Sequence, residues 1–445
     1  MIKNNDSDNE NAQIAIWGCG YIGLTTAISY ALKRIRCYAY DIDKAKIEDL
    51  QEGKNPIINL DYWYGLDLKK VYQSGYIVFT SQKQILSNCT IHFIAVPTEK
   101  SMEPCYEAVM QVISDIADIF DENKNKMYVI FESTLTPGTL KNIIIPFFSN
   151  RKIRSGKDII LAIAPRRDWF ISQDKNLKSL PRVIATYNNQ GLETVKKILT
   201  IICDNVITSC DLDAVEMVKS VENTFRYMEI SLANQLLLAY PNVNMDEVLR
   251  LCATKWNMGT YFCSFGIGGY CIPLAAKYLL QGSKNNNMLS IVKEAVNFNF
   301  NYLENLISNY RIERFKHIGI FGLSYKENIK VSKGSPTIEL SRLLRNYGKE
   351  VEIHDPYYSS EEIMEITECK KINLDSENKY FDCIILMVAH DEYKLMDIYK
   401  FATKNSTQII IDQSGIWNDC RWKSAKIKYV KVGELLREVE NDKTN

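Results

Sequence analysis

A chain of 445 residues has room for about three domains with sizeable cores. Its 54 basic and 54 acidic residues cancel, and no basic run is interleaved with aromatics, which excludes a general polyanion or nucleic-acid surface. Twelve cysteines without C-x-x-C pairs and only four histidines give neither zinc-ligand spacing nor a secreted disulfide framework. The first eleven residues are polar and unlike a signal peptide, and no apolar run reaches membrane-spanning length, so a soluble cytoplasmic protein without a metal site or membrane span is expected.

Residues 13–17 (QIAIW) form a short apolar run that predicts a buried strand. Gly18-Cys19-Gly20-Tyr21-Ile22-Gly23 follows at once, and the spacing then predicts a helix over 24–33. This is G-x-G-x-x-G between a strand and a helix. Gly18 makes the turn, Gly20 lets the backbone approach a pyrophosphate, and Gly23 permits close helix packing. The next strand, 37–40, ends in Asp41, eighteen residues after Gly23, where a carboxylate can accept both ribose hydroxyls. An acid there repels a 2′-phosphate, so the expected cofactor is NAD.

Strand–helix alternation continues. A strand at 90–96 ends in Pro97-Thr98, and one at 127–131 ends in Glu132-Ser133-Thr134, before Pro137-Gly138 turns the chain. Hydroxyls at such strand ends sit over the ligand crevice or cap helices. Two further strands, 159–163 and 182–186, are separated by the basic stretch Pro165-Arg166-Arg167-Asp168. The pattern then changes to one long helix over 213–240, on which Lys219 and Asn223 share a face at i,i+4. A second helical stretch covers 288–309, and the two helices together would make a dimer spine.

Between them lies FGIGGYCIP, residues 265–273. Gly266, Gly268 and Gly269 imply a loop whose backbone approaches something closely. Cys271 at its end is either a nucleophile or a buried cysteine beside a turn, and Pro273 closes the turn. Strands at 318–321, 351–354, 383–388 and 408–412 then predict a second α/β domain, this one lacking G-x-G-x-x-G. The fold class is therefore α/β: two Rossmann-like doubly wound domains at 12–205 and 312–440, joined by a central helical domain at 206–311. The tail after residue 438 is polar and expected to fray.

The ordered set of motifs resembles the UDP-glucose/GDP-mannose dehydrogenase family, NAD-dependent nucleotide-sugar 6-dehydrogenases, over essentially the whole chain. The segments are AVPT (95–98), STLTPGT (133–139), VENTFR (221–226), GGYCIP (268–273), FGLSYK (321–326), HDP (354–356) and VAHDEY (388–393). Three of them, GGYCIP, VENTFR and VAHDEY, are most similar to the UDP-N-acetylmannosamine dehydrogenase branch. The resemblance implies two successive oxidations of a sugar C6 alcohol, with the intermediate aldehyde captured by a cysteine and a thioester released by water as a uronic acid. By motif position Cys271 would be the nucleophile, Lys219 would stabilise alkoxide and oxyanion charge, Asn223 would position the bound oxygen, and Thr134 would contact water or the nicotinamide region. Cofactor contacts are implied at Gly18, Gly20, Tyr21, Ile22, Gly23, Asp41, Pro97, Thr98, Ser133 and Thr134. Substrate contacts are implied at Arg166, Arg167, Lys219, Asn223, Phe265, Gly266, Gly268, Gly269, Lys326 and Lys333. A homodimer or larger assembly and a role in cell-surface polysaccharide precursor synthesis are implied as well.

The chain departs from the family pattern at several positions. Arg166 stands where a Glu is usual, and Ala275 where an Asp follows the cysteine by four residues; both losses remove general-base capacity from deacylation. Lys333-Gly334-Ser335-Pro336 replaces an Arg-Glu-Ser-Pro segment, and Gln413-Ser414-Gly415 replaces a usual Arg. Three readings follow. The first is an acid-forming dehydrogenase in which Asp168, Lys219 and Asn223 handle water. The second is a divergent member that stops at the aldehyde, epimerises, or uses another acyl acceptor, with Arg166 meeting an added substrate anion. The third is a non-catalytic binding paralogue, which the retained Cys271, Lys219 and Asn223 oppose.

Overall fold

The computed structural model describes residues 13–61, 67–121, 126–168, 175–269, 271–374 and 380–435. The polar first eleven residues, the tail after 438 and Tyr270 of the cysteine loop lie outside the described residues. The chain divides into two compact units, Met1–Glu222 with Lys277–Lys284, and Asn223–Ala276 with Asn285–Asn445.

The first unit is built on eight strands: β1 (Ile14–Trp17), β2 (Cys37–Tyr40), β3 (Ile77–Thr80), β4 (Ile91–Ile94), β5 (Met127–Phe131), β6 (Ile159–Ile163), β7 (Arg182–Thr186) and β8 (Val206–Thr208). Their order is β8-β7-β6-β5-β4-β1-β2-β3. The pairs are parallel except β6 with β7, where Ile163 faces Ala185. Runs such as IAIW and IILAI bury every residue, because a parallel sheet is covered on both faces. The order reverses between β1 and β4, which places a ligand crevice at their C-terminal ends. Helix α1 (Tyr21–Ala31) leaves the first of these ends. It begins three residues before the expected start at 24, since Gly20 already sits in extended backbone as the N-cap. Helix α2 (Lys44–Gln51) follows β2.

The second unit carries the all-parallel strands β9 (His317–Phe321), β10 (Glu350–His354), β11 (Lys370–Lys371), β12 (Cys383–Leu386), β13 (Ile409–Asp412) and β14 (Lys428–Lys431). They run in the order β11-β10-β9-β12-β13-β14. Counted within the unit this is third-second-first-fourth-fifth-sixth, the order of the first six strands of the other sheet, so the switch point recurs between β9 and β12.

Three longer helices lie between the sheets in sequence: α3 (Leu212–Ala239), α4 (Cys271–Gly282) and α5 (Ser290–Asn309). Ala233 and Leu237 of α3 and Tyr302, Leu306 and Ile307 of α5 share one core with Ile318, Ile320 and Ile353 of the second sheet. That shared core is why these parts of the central helices belong to the second unit. Among the described residues no helix is long and apolar enough to cross a membrane.

Candidate functional site

The glycine loop of the first unit is shaped for a dinucleotide. Gly18 has φ +101°, and a Cβ there would lie 2.7 Å from the Ala95 carbonyl oxygen. A Cβ on Gly23 would fall 1.8 Å from the oxygen of Gly18, so only glycine lets α1 start this close to β1. Above Gly20 nothing lies within 4 Å of a Cβ position, leaving space for a phosphate. No side chain caps this end of α1 and no acid occupies its first turn, so the helix dipole and its amides favour an anion. Tyr21 and Ile22 form that first turn, and the Ile22 carbonyl is taken by Arg166. Asp41 Oδ2 accepts the Cys19 amide at 2.8 Å and pairs with Lys46 at 3.1 Å, while Oδ1 accepts the Asp43 amide. The carboxylate is thus fixed at the loop, with Oδ1 holding acceptor capacity for ribose. These residues fit NAD.

The strand ends hold their hydroxyls inward. Thr98 is buried, with its hydroxyl 2.8 Å from the Tyr278 hydroxyl, which also donates to the Thr98 carbonyl. Pro97 beside it is exposed. Ser133 Oγ donates to the Val96 carbonyl at 2.7 Å, tying the end of β5 to that of β4. Thr134 is half-buried. The turn after it is held by Glu216 of α3, a residue the sequence reading did not single out. Its buried carboxylate accepts the Gly138 amide at 2.6 Å and the Leu140 amide at 3.0 Å. Burial pushes this carboxyl above its ordinary range, against the pull of those two amides. Lys219, half-buried, follows Glu216 by three residues and so lies on the same side of α3.

Arg166 is engaged by groups of its own unit. It is 3 % exposed, and its Nε and Nη2 grip both oxygens of Asp168 at 2.7 and 2.6 Å. Nη1 donates to the Thr26 hydroxyl and the Ile22 carbonyl, and Nη2 to the Thr25 hydroxyl. Glu132 Oε2 lies 4.0 Å away, accepts the Thr26 hydroxyl, and shares its other oxygen with buried Arg182. Two cations and two anions therefore balance inside the unit. Burial alone would raise the Asp168 carboxyl, but the adjoining Arg166 charge holds it below the usual range. The placement gives no support to Arg166 as a receptor for a substrate anion, or to Asp168 as a free base. Arg167 is half-buried, paired with Glu222 and donating to the Pro181 carbonyl.

In the second unit the glycine-rich loop lies against the segment that carries Lys326 and Lys333. The Gly269 amide donates to the Gly334 carbonyl at 3.1 Å, and a Cβ on Gly334 would meet the Gly269 oxygen at 2.5 Å. That close approach explains Gly334 where the resemblance expects Glu. Gly268 and Gly269 each face Tyr325 at contact distance, and Gly266 has φ +117°. Phe265 is fully buried and its amide donates to Gln413 Oε1 at 2.8 Å. Gln413 Nε2 in turn donates to the Met387 carbonyl, so the residue standing in place of the expected Arg ties the cysteine loop to the end of β12. Burial lowers the Lys326 ammonium below its ordinary range, while Lys333 is exposed.

Cys271 is half-buried and is the first residue of α4. Pro273 does not close a turn; it lies in the first turn of that helix, where its missing N–H leaves no bond unmade. Ala275 follows Cys271 by one turn and is buried, which an uncompensated carboxylate could not be. Asn223 Nδ2 donates to the Cys271 carbonyl at 3.4 Å. Of the four residues expected to do chemistry, this unit brings Asn223 and Cys271 together.

Comparison with known proteins assigns most of the chain to one family. Models of the UDP-glucose/GDP-mannose dehydrogenase family match in three parts: the NAD binding domain at residues 12–202, the central domain at 213–301 and the UDP binding domain at 319–419. The chain is 28% identical over 413 residues to the UDP-N-acetyl-D-mannosamine dehydrogenase of Pyrococcus horikoshii, covering 91% of this chain and 96% of that one. It is 24% identical over 402 residues to the UDP-N-acetyl-D-glucosamine 6-dehydrogenase of Pseudomonas aeruginosa, covering 87% and 92%. The solved structure of UDP-D-ManNAc dehydrogenase from Pyrococcus horikoshii superposes with a TM-score of 0.80 at 25% identity, over 95% of this chain and 99% of that one. The chain belongs to the UDP-glucose/GDP-mannose dehydrogenase family, and is an NAD-dependent nucleotide-sugar dehydrogenase.

Proposed function

We propose that the enzyme oxidises the C6 alcohol of a nucleotide-sugar, of the UDP-N-acetylhexosamine or UDP-hexose type, to the uronic acid through Cys271. When bound, NAD supplies the hydride acceptor for each of the two oxidations. The alcohol loses hydride and its hydroxyl proton to give the aldehyde. The Cys271 thiol adds across the carbonyl, sulfur to carbon and proton to oxygen, giving a thiohemiacetal. Loss of hydride and of that hydroxyl proton leaves a thioester, which water cleaves to the acid and the free thiol. A thiolate at the first residue of a helix is favoured by the helix dipole, which supports Cys271 as the nucleophile. Lys219 stabilises the developing oxyanion, Asn223 orients the cysteine and the bound oxygen, and Thr134 contacts water or the nicotinamide region. Lys326 and Lys333 contact the nucleotide diphosphate. The observation that carries this reading is the Asn223 amide on the Cys271 carbonyl, at the end of a loop packed on the Lys326–Lys333 segment.

A second reading is favoured by the absence of a free carboxylate at the departing positions. Arg166 and Ala275 supply none, and Asp168 is consumed by Arg166. The enzyme would then release an aldehyde or pass the acyl group to another acceptor. Counting NADH per sugar over a panel of UDP- and GDP-sugars, with mass analysis of the product, decides between them. Two NADH and a uronic acid support the first reading; one NADH with an aldehyde, or two NADH with an acyl product other than the acid, supports the second. Cys271→Ser is expected to abolish acid formation, and undiminished acid would sink Cys271 as nucleophile. We also read Phe225 and Leu232 of α3 and Ile291 and Phe300 of α5, all well exposed, as part of a homodimer spine whose check is the mass in solution. The product would feed polysaccharide precursor synthesis in the cytoplasm.

A further inference from the structure

Three of the sequence motifs, 321–326, 354–356 and 388–393, meet at the switch point of the second sheet in one buried hydrogen-bonded cluster. Asp355 follows β10 and is fully buried. Its Oδ2 accepts the amides of Leu323 at 2.8 Å and Ser324 at 2.9 Å, and its Oδ1 accepts the Tyr357 amide at 2.9 Å. His390 follows β12 and is also fully buried. Its Nδ1 accepts the Asn328 amide at 2.9 Å, and its Nε2 lies 3.2 Å from Asp355 Oδ2. A ring nitrogen that accepts an N–H carries no proton, so Nε2 holds the hydrogen and donates it to Asp355. The ring is packed edge-on against Tyr357 and Tyr393 at 5.1 and 5.5 Å between centroids.

The comparison with the first sheet is informative. There the acid after the second strand, Asp41, takes one amide from the glycine loop and keeps Oδ1 largely open. In the second sheet Asp355 Oδ2 takes two amides from the corresponding loop and also lies against His390 Nε2, Oδ1 takes the Tyr357 amide, and the residue is fully buried. The acid that can meet ribose in one unit is used in the other to immobilise a loop. Residues 323, 324 and 328, which bracket Lys326 on both sides, are each tied to Asp355 or His390.

We propose that His390 is the positioning residue of the nucleotide-contacting segment, fixing the backbone around Lys326 by donating to Asp355 and accepting from Asn328. The proposal rests on the reading of Lys326 given above. His390→Phe keeps an aromatic ring against Tyr357 and Tyr393 but offers neither hydrogen bond, whereas His390→Gln offers one donor and one acceptor. The affinity for uridine diphosphate, the affinity for NAD, and hydrogen exchange of the peptide spanning 322–329 are to be measured for each. H390F is expected to weaken uridine diphosphate binding about tenfold or more, as loss of two buried hydrogen bonds implies, with faster exchange in that peptide and NAD affinity within about twofold of wild type. H390Q is expected to recover most of the loss. Unchanged nucleotide affinity in H390F, or an H390Q protein as defective as H390F, overturns the proposal. A wild-type protein that binds no uridine diphosphate removes the nucleotide reading of Lys326; the exchange data then decide the positioning role, and unchanged protection in H390F overturns it. Should H390F not fold, His390→Asn, too short to span both partners, takes its place with the same expectations.

Discussion

A guanidinium inside a protein is tolerable only where its charge is answered and its N–H groups find acceptors. Arg166 meets that demand with both oxygens of Asp168, two threonine hydroxyls and a carbonyl. Removing it should therefore act on stability before it acts on substrate. Arg166→Met is expected to cost about 3–5 kcal/mol by leaving Asp168 buried without its counter-charge, and the double variant R166M/D168L should recover most of that loss. Urea unfolding reads both, and nucleotide-sugar affinity per folded molecule should stay within about twofold of wild type. A stable R166M protein with weakened substrate binding would restore the substrate role. The sequence displays the arginine in an unusual place, but not the direction in which it turns. That depends on Thr25 and Thr26, remote in sequence and brought near only because the start of α1 lies beside the end of β6. Gln413 is similar: its value as a tie between the Phe265 amide and the Met387 carbonyl is invisible without the fold.

Elements fix the chemistry by holding turns rather than by supplying every reacting group. Glu216 bonds the turn at 138–140 to α3, one helical turn before Lys219 and four residues after Thr134. In Glu216→Gln one oxygen still accepts, but the new amide group is turned toward an N–H donor. A shift of this turn is expected to lower kcat about tenfold or more while the affinity for NAD, anchored at Gly18–Gly23 and Asp41, stays within about twofold. Lys141→Met breaks the exposed ion pair with Asp213, which joins the same two elements at the surface, and serves as a control with kcat near wild type. Equal turnover in E216Q would assign Glu216 to stability alone. The strands were legible because both faces are buried and the apolar runs are continuous; β5, β6 and β7 have the expected limits. Helix starts were less so. Gly20 and Cys271 stand at helix starts where sequence signals suggest loop; at Gly20 extended backbone and not a side-chain cap sets the end.

At the scale of the molecule the two sheets share a strand order, and each buries a neutral histidine near it. His92 in the first unit accepts the Trp17 indole N–H at Nδ1 and donates Nε2–H to the Cys89 carbonyl. His354 in the second unit shares a hydrogen bond with the Tyr393 hydroxyl. Burial pushes both down to about 4, with Lys371 adding to the effect at His354. In an unfolded chain each would take up a proton near pH 6.5. Between those values the unfolded state binds more protons than the native one, so stability must fall as pH falls through that window. The loss is at most about 3 kcal/mol per histidine, and above about pH 6.5 the contribution is complete and flat. The chain has only four histidines, so their imidazole resonances can be followed individually through a titration. His92 and His354 are expected to stay neutral to near pH 4 in the native protein, while urea midpoints fall steadily below pH 6.5. If the His92 and His354 resonances titrate near 6.5, these two histidines are not sealed in their cores, and acid sensitivity must come instead from carboxylates such as Asp168 and Asp355, held below their usual range, whose contribution is lost only as pH falls past about 4.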